Sequence, residues 1–159
     1  RMIEGGEDAK FIARRLIISA AEDIGLANPT ALVMATTCFE AVERIGMPEG
    51  RIVLSQCAIY LATSPKSNAS YKAINEAQAL VRQTGDLPVP MHLRNAPTSL
   101  MKELGYGAGY VYDHDAPSGM SGQELMPDAV ANRQLYFPGA NARETRMAAD
   151  LGRKSRGDS

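Results

Sequence analysis

The sequence predicts a mainly α-helical fold, and three observations carry that prediction. Apolar residues in the first 85 positions recur at helical spacing in four stretches. Each stretch is closed by a glycine or by a Ser-Pro break, at Gly25, Gly46, Ser64-Pro65 and Gly85. From Leu87 onward the composition turns to Pro, Gly and Tyr. The expected architecture is a bundle of four to six helices with an extended Gly/Pro/Tyr-rich segment, filling residues 1–138. Residues 139–159 are expected as a polar, basic and mobile C-terminal extension.

The elements follow in order. Asp8 is placed to cap a first helix through Phe11, Ile12, Leu16, Ile18, Ala20 and Ile24, with Gly25 as its stop. Asn28-Pro29 starts the second helix, an N-cap residue followed by proline at the first helical position, and Gly46 ends it. Pro48-Glu49 opens a third helix containing Ile52, Leu54, Cys57, Ile59, Tyr60 and Leu61. The fourth runs from about Ser67 to Gln83. These four carry little polar surface at their centres, the pattern of helices that pack on more than one neighbour.

Leu87-Pro88-Val89-Pro90 is extended, since each proline disfavours the α conformation in the residue before it. Thr98 caps a short helix over 99–104, stopped by Gly105. Residues 105–122 read as an ordered loop with a short hairpin through Tyr110-Val111-Tyr112, followed by one helical turn near 127–132. A last polar helix follows Pro138. Between Arg133 and Ser159 there are six basic and three acidic residues, so this end is locally basic.

Charge and composition narrow the function. Across 159 residues, 17 basic and 18 acidic side chains leave a net charge of −1, so no field over the whole surface holds nucleic acid. Cys38 and Cys57 lie in apolar helical stretches without a CxxC pattern, which reads as two buried thiols in a reducing cytoplasm. The apolar run at Leu16-Ile17-Ile18 is too short to span a bilayer. A chain that opens on Arg1 and enters a helix almost at once reads as an internal cut from a longer protein.

No catalytic, cofactor or metal site is expected. ATP binding of the P-loop type needs GxxxxGK[ST], whose backbone N–H groups cradle phosphate, and the sequence has none. Gly105, Gly107 and Gly109 follow a short helix rather than joining a strand to a helix, unlike a dinucleotide site. Asp113-His114-Asp115 is the one metal-like cluster, but neighbours on a strand point to opposite faces, and a structural role is favoured. Two polar clusters remain as candidate interface or partner contacts. Lys66 and Asn68, flanking Ser67 at a helix start, suit either phosphate or a capped helix with a solvated lysine, the latter favoured. His92, Arg94 and Asn95 lie in the proline-bounded segment, where Arg94 and Asn95 either satisfy its own backbone, the favoured role, or reach a partner chain.

Longer strings make a family visible. Arg1-Met2-Ile3-Glu4-Gly5-Gly6-Glu7-Asp8, Phe11 to Leu16, and Ala21-Glu22-Asp23-Ile24-Gly25-Leu26-Ala27 come first. Ser64-Pro65-Lys66-Ser67-Asn68 and the run Pro88 to Thr98 follow, then Leu100 to Gly107 and Tyr112-Asp113-His114-Asp115. Together they resemble the C-terminal part of the replication-associated recombination protein A family. That family is also called maintenance of genome stability protein A, and its eukaryotic relative is the Werner-helicase-interacting ATPase. The resemblance covers residues 1 to about 138.

The resemblance implies a clamp-loader-like AAA+ ATPase at stalled replication forks, with ATP and Mg bound upstream of this region. It implies a collar-like helical domain that joins subunits as a homotetramer. For the parent it implies contacts with DNA and single-stranded-DNA-binding protein in the cytoplasm, associated with the nucleoid. The first functional expectation is therefore an oligomerisation domain. The alternative is a module that docks DNA or single-stranded-DNA-binding protein through Arg94, Lys66 or the basic tail. An independent hydrolase or metal enzyme built on His92 and His114 is the weakest reading.

Overall fold

Asp8 starts the first helix as expected: its carboxylate accepts the backbone N–H of Lys10 at 3.0 Å. The computed structural model describes residues 1–116 and 119–156, and among these the chain is helical with no strand. Helix α1, Ala9–Ser19, runs on into a π-helical turn, Ala20–Ile24, and stops at Gly25 with φ +49°. Helix α2 is Thr30–Ile45, α3 is Gly50–Thr63 and α4 is Ala69–Thr84. With the π-helical turn counted as part of the first helix, all four lie within two residues of the boundaries that the glycine and proline punctuation predicts.

The start of α2 differs from expectation in one respect. Asn28 caps with its carbonyl alone, which accepts the N–H of Ala31 at 2.9 Å. Its side-chain amide turns away to the Tyr60 hydroxyl at 3.1 Å and to Ser64 Oγ at 3.0 Å. A half-buried amide gains more from two hydroxyls on α3 than from one exposed N–H at the helix start.

Two compact units emerge, residues 1–75 with 136–146, and residues 76–135 with those from 147 onward. In the first, α1, α2 and α3 pack against one another in all three pairings. The buried stripe of α2 is Ala31, Ala35, Cys38 and Val42, and that of α3 is Leu54, Cys57 and Leu61. Steps of three and four residues place each set on one helix face. Ala13, Ala20 and Ile24 complete this core. Small side chains at so many core positions let the helix axes approach closely. The central positions of α2 and α3 were expected to be covered on more than one side, yet Val33, Ile52 and Ile59 are 63%, 59% and 62% exposed.

In the second unit, Thr98 caps helix α5, Ser99–Glu103, its hydroxyl accepting the N–H of Met101 at 3.2 Å. Single 3-10 turns occur at Met91–Leu93, Asp113–Asp115 and Asp128–Val130, the last where one helical turn was expected. The hairpin expected through Tyr110-Val111-Tyr112 does not form. Gln123 supplies the missing pairing from a side chain: its Oε1 accepts Val111 N–H at 3.1 Å and its Nε2 donates to the Gly109 carbonyl at 2.6 Å. One amide satisfies both backbone groups, so no partner strand is needed. Pro117 and Ser118 of this loop lie outside the described residues.

The last helix, α6, is Ala142–Arg156. The compact units do not divide at 138, because residues 136–146 cluster with residues 1–75. Their anchor is Glu144 in the first turn of α6, which is 0% exposed. At the basic end, Gly157-Asp158-Ser159 lie outside the described residues.

Candidate functional site

The five residues singled out from sequence fall into two groups, one per unit. Lys66 and Asn68 are exposed at the α3–α4 junction. The Lys66 ammonium donates to the Leu61 carbonyl at 2.5 Å, a second donor there beside the Ser64 N–H at 3.3 Å in the last turn of α3. Asn68 uses its main-chain oxygen to accept Lys72 N–H at 3.0 Å as α4 begins. Beside them runs a shallow groove of about 490 Å³ lined by Ser19, Asp23, Lys66, Ser67 and Asn68. Asp23, which accepts the Ser19 hydroxyl at 2.7 Å, gives that groove mixed charge and weakens its suitability for phosphate.

In the proline-bounded segment, Arg94 Nε donates to the Val89 carbonyl at 2.7 Å, and its guanidinium lies 5.2 Å above the Tyr106 ring. His92 Nε2 pairs with the Glu124 carbonyl at 2.9 Å. Arg94 therefore holds the backbone of its own segment, the favoured role, whereas His92 reaches Glu124 outside that segment and Asn95 is exposed. The Asp113 carboxylate accepts Ser121 N–H at 2.8 Å and is held below the usual carboxylate range chiefly by hydrogen bonds from Ser121. Among the described residues no three His, Cys, Asp or Glu side chains converge as a metal site.

Sequence reasoning missed the most tightly built polar cluster. The Tyr136 hydroxyl donates to Glu144 Oε1 at 2.6 Å, and Asn141 donates from its side-chain amide to Glu144 Oε2. Ser67 Oγ and the backbone N–H of Gly139 also bond the carboxylate. Burial by itself raises the Glu144 pKa, but the four hydrogen bonds outweigh it and hold the group at about 2. The same contact, on top of burial, pushes the Tyr136 phenol up to about 12. A signal was present: Asn141-Ala142-Arg143-Glu144 has capping-box spacing, and Asn141 Oδ1 accepts Glu144 N–H at 3.0 Å. That spacing marks a helix start but says nothing of Ser67, which lies far away in sequence.

The two thiols meet in the α2–α3 core. Cys38 donates to the Val53 carbonyl at 3.7 Å and hydrogen-bonds with Cys57. Burial, then the proximity of Cys57, pushes Cys38 up to about 12.

The fold defines a class: among the described residues, an all-helical module. Residues 1–154 match the family model described as the C terminal of the MgsA AAA+ ATPase, and the chain belongs to that family. The match extends past residue 138, through most of α6. A replication-associated recombination protein A from Coxiella burnetii is 47% identical over 139 residues, covering 87% of this chain and 32% of that protein. The protein of that name from Escherichia coli strain K12 is 41% identical over 152 residues, 95% of this chain and 34% of its own length. A protein from Dictyostelium discoideum named ATPase WRNIP1 is 41% identical over 138 residues, 86% of this chain and 16% of its own length. The chain thus spans about a third or less of these relatives. Among the described residues no helix is long and apolar enough to cross a membrane.

Proposed function

We propose that this chain is the non-catalytic region that holds together the subunits of a clamp-loader-like AAA+ ATPase serving replication and recombination. The observation that carries this reading is the apolar pair on α3. Ile52 and Ile59 are more than half exposed, on the side of that helix away from its buried stripe, and Val33 stands likewise exposed on α2. Ile52 and Ile59 flank Ser55 and Gln56 along a shallow groove of about 590 Å³. Leaving such side chains in water forgoes roughly 1.5–3 kcal/mol each, which burial against other subunits recovers. A homotetramer is the assembly we expect. ATP and Mg chemistry is assigned to the parent, as are DNA and single-stranded-DNA-binding protein as partners.

The alternative, a module that docks DNA or single-stranded-DNA-binding protein, rests on fewer groups. Arg94 and His92 are engaged within their own unit, and Lys66 already contacts the end of α3. Light scattering at tens of micromolar protein tests the first reading. The expected result is a species about four times the 17.1 kDa chain mass. Ile52→Glu with Ile59→Glu is expected to dissociate it with helical circular dichroism unchanged. A strictly monomeric wild type, or a double variant that still assembles, counts decisively against it.

A further inference from the structure

Glu144 is the single buried side chain between residues 136 and 146, where Phe137 is 63% exposed and Tyr136 is half-buried. Apolar burial therefore contributes little to holding this segment. Three of the hydrogen bonds on Glu144 are local, from Tyr136, Gly139 and Asn141. The one that reaches out of the segment comes from Ser67. Ser67 is itself fixed: its N–H donates to the Asp23 carbonyl at 2.9 Å, and its hydroxyl accepts Ala69 N–H at 3.3 Å where α4 starts. The junction is also tight. A Cβ on Gly139 would lie 2.8 Å from Glu144 Oε2 and 3.1 Å from Ser67 Oγ.

We propose that Ser67 and Glu144 form a latch, from which residues 136–146 release as one piece while the α1–α3 core stays folded. A buried carboxylate tolerates no half-satisfied state, because each lost donor leaves charge unsolvated. The latch is therefore either fully docked or open to water. Opening frees the Ser67 hydroxyl, which already lines the groove between Lys66 and Asn68, from its carboxylate partner. This inference stands independently of subunit assembly.

Amide hydrogen exchange on the full 159-residue chain tests it, comparing wild type, Ser67→Ala and Glu144→Gln. Both variants are expected to accelerate exchange over residues 142–146 by roughly tenfold or more, with the amides of α2 and α3 unchanged. Tryptic cleavage after Arg143 and Arg146 should accelerate in parallel. Unchanged exchange at 142–146 in either variant overturns the latch. So does equal acceleration across α2 and α3, because the segment would then open only with the whole unit. Should Ser67→Ala fail to fold, Glu144→Gln alone carries the same two outcomes.

Discussion

A Cβ placed on Gly25 would stand 2.8 Å from the carbonyl oxygen of Ser67. The glycine that ends the π-helical turn thus also lies against the α3–α4 junction, two residues after Asp23, whose carbonyl accepts the Ser67 N–H at 2.9 Å. Its φ of +49° adds a second reason for glycine, since a side chain there is strained whatever the space. Gly25→Ala is expected to destabilise the protein by about 2–4 kcal/mol, combining backbone strain with a shift of the Ser67 strand of chain. Urea unfolding followed by circular dichroism measures it, and a loss below about 1 kcal/mol would show that the junction yields easily.

Asn28 joins the start of α2 to the end of α3 through Tyr60 and Ser64. Asn28→Ala is expected to cost roughly 1–2 kcal/mol, because two hydroxyls lose a partner in a half-buried site. Combined with Tyr60→Phe in a double-mutant cycle, the pair should show positive coupling. Simple additivity would mean the amide gains nothing from Tyr60.

The Glu144 cluster predicts how stability responds to pH at both extremes. The folded carboxyl sits at about 2 against an ordinary value of 4.5, so its contribution is fully present above pH 4.5. It is lost as pH falls toward 2, because the unfolded chain then binds a proton that the folded chain refuses. Tyr136 acts in the opposite sense: at about 12 against 10.0, it stabilises the fold below pH 10 and ceases to as pH rises toward 12. Glu144→Gln should flatten the acid limb of a stability-against-pH curve and bring the Tyr136 phenol back toward its ordinary range. An ultraviolet titration of tyrosinate absorbance and denaturant midpoints from pH 2 to 6 read the two effects; an acid limb unaltered by the substitution would remove Glu144 from the explanation.

Cys38 and Cys57 should be slow to react with a thiol reagent such as Ellman's at pH 8. Both are buried, and Cys38 at about 12 holds almost no thiolate there. Two equivalents should be released promptly in denaturing urea. Rapid labelling in native buffer would show that the α2–α3 core opens readily.

Much of this fold was legible because its signals are local. Gly25, Gly46 and Gly85 stop helices through the conformation of a single residue, and Asp8 and Thr98 cap through neighbours two or three positions away. Prolines at 88 and 90 restrict the residues before them whatever lies elsewhere. The family strings are likewise a property of the chain in order. The hairpin was misjudged because Gln123 reaches Gly109 and Val111 from more than ten residues away, and nothing in Tyr110-Val111-Tyr112 reports it.

The sequence by itself determined where helices begin and end, that the first 85 residues bury apolar stripes, and which family the chain resembles. Tertiary structure decided which distant partners the polar residues find. Arg94 and His92 turn inward on the backbone of their own unit, Asn28 leaves its helix start for Tyr60, and Glu144 is buried against Ser67 across 77 positions, the difference between 144 and 67. The reason is physical. Backbone conformation answers to neighbours within a turn, whereas a polar side chain goes wherever the fold leaves a donor or acceptor that water cannot reach.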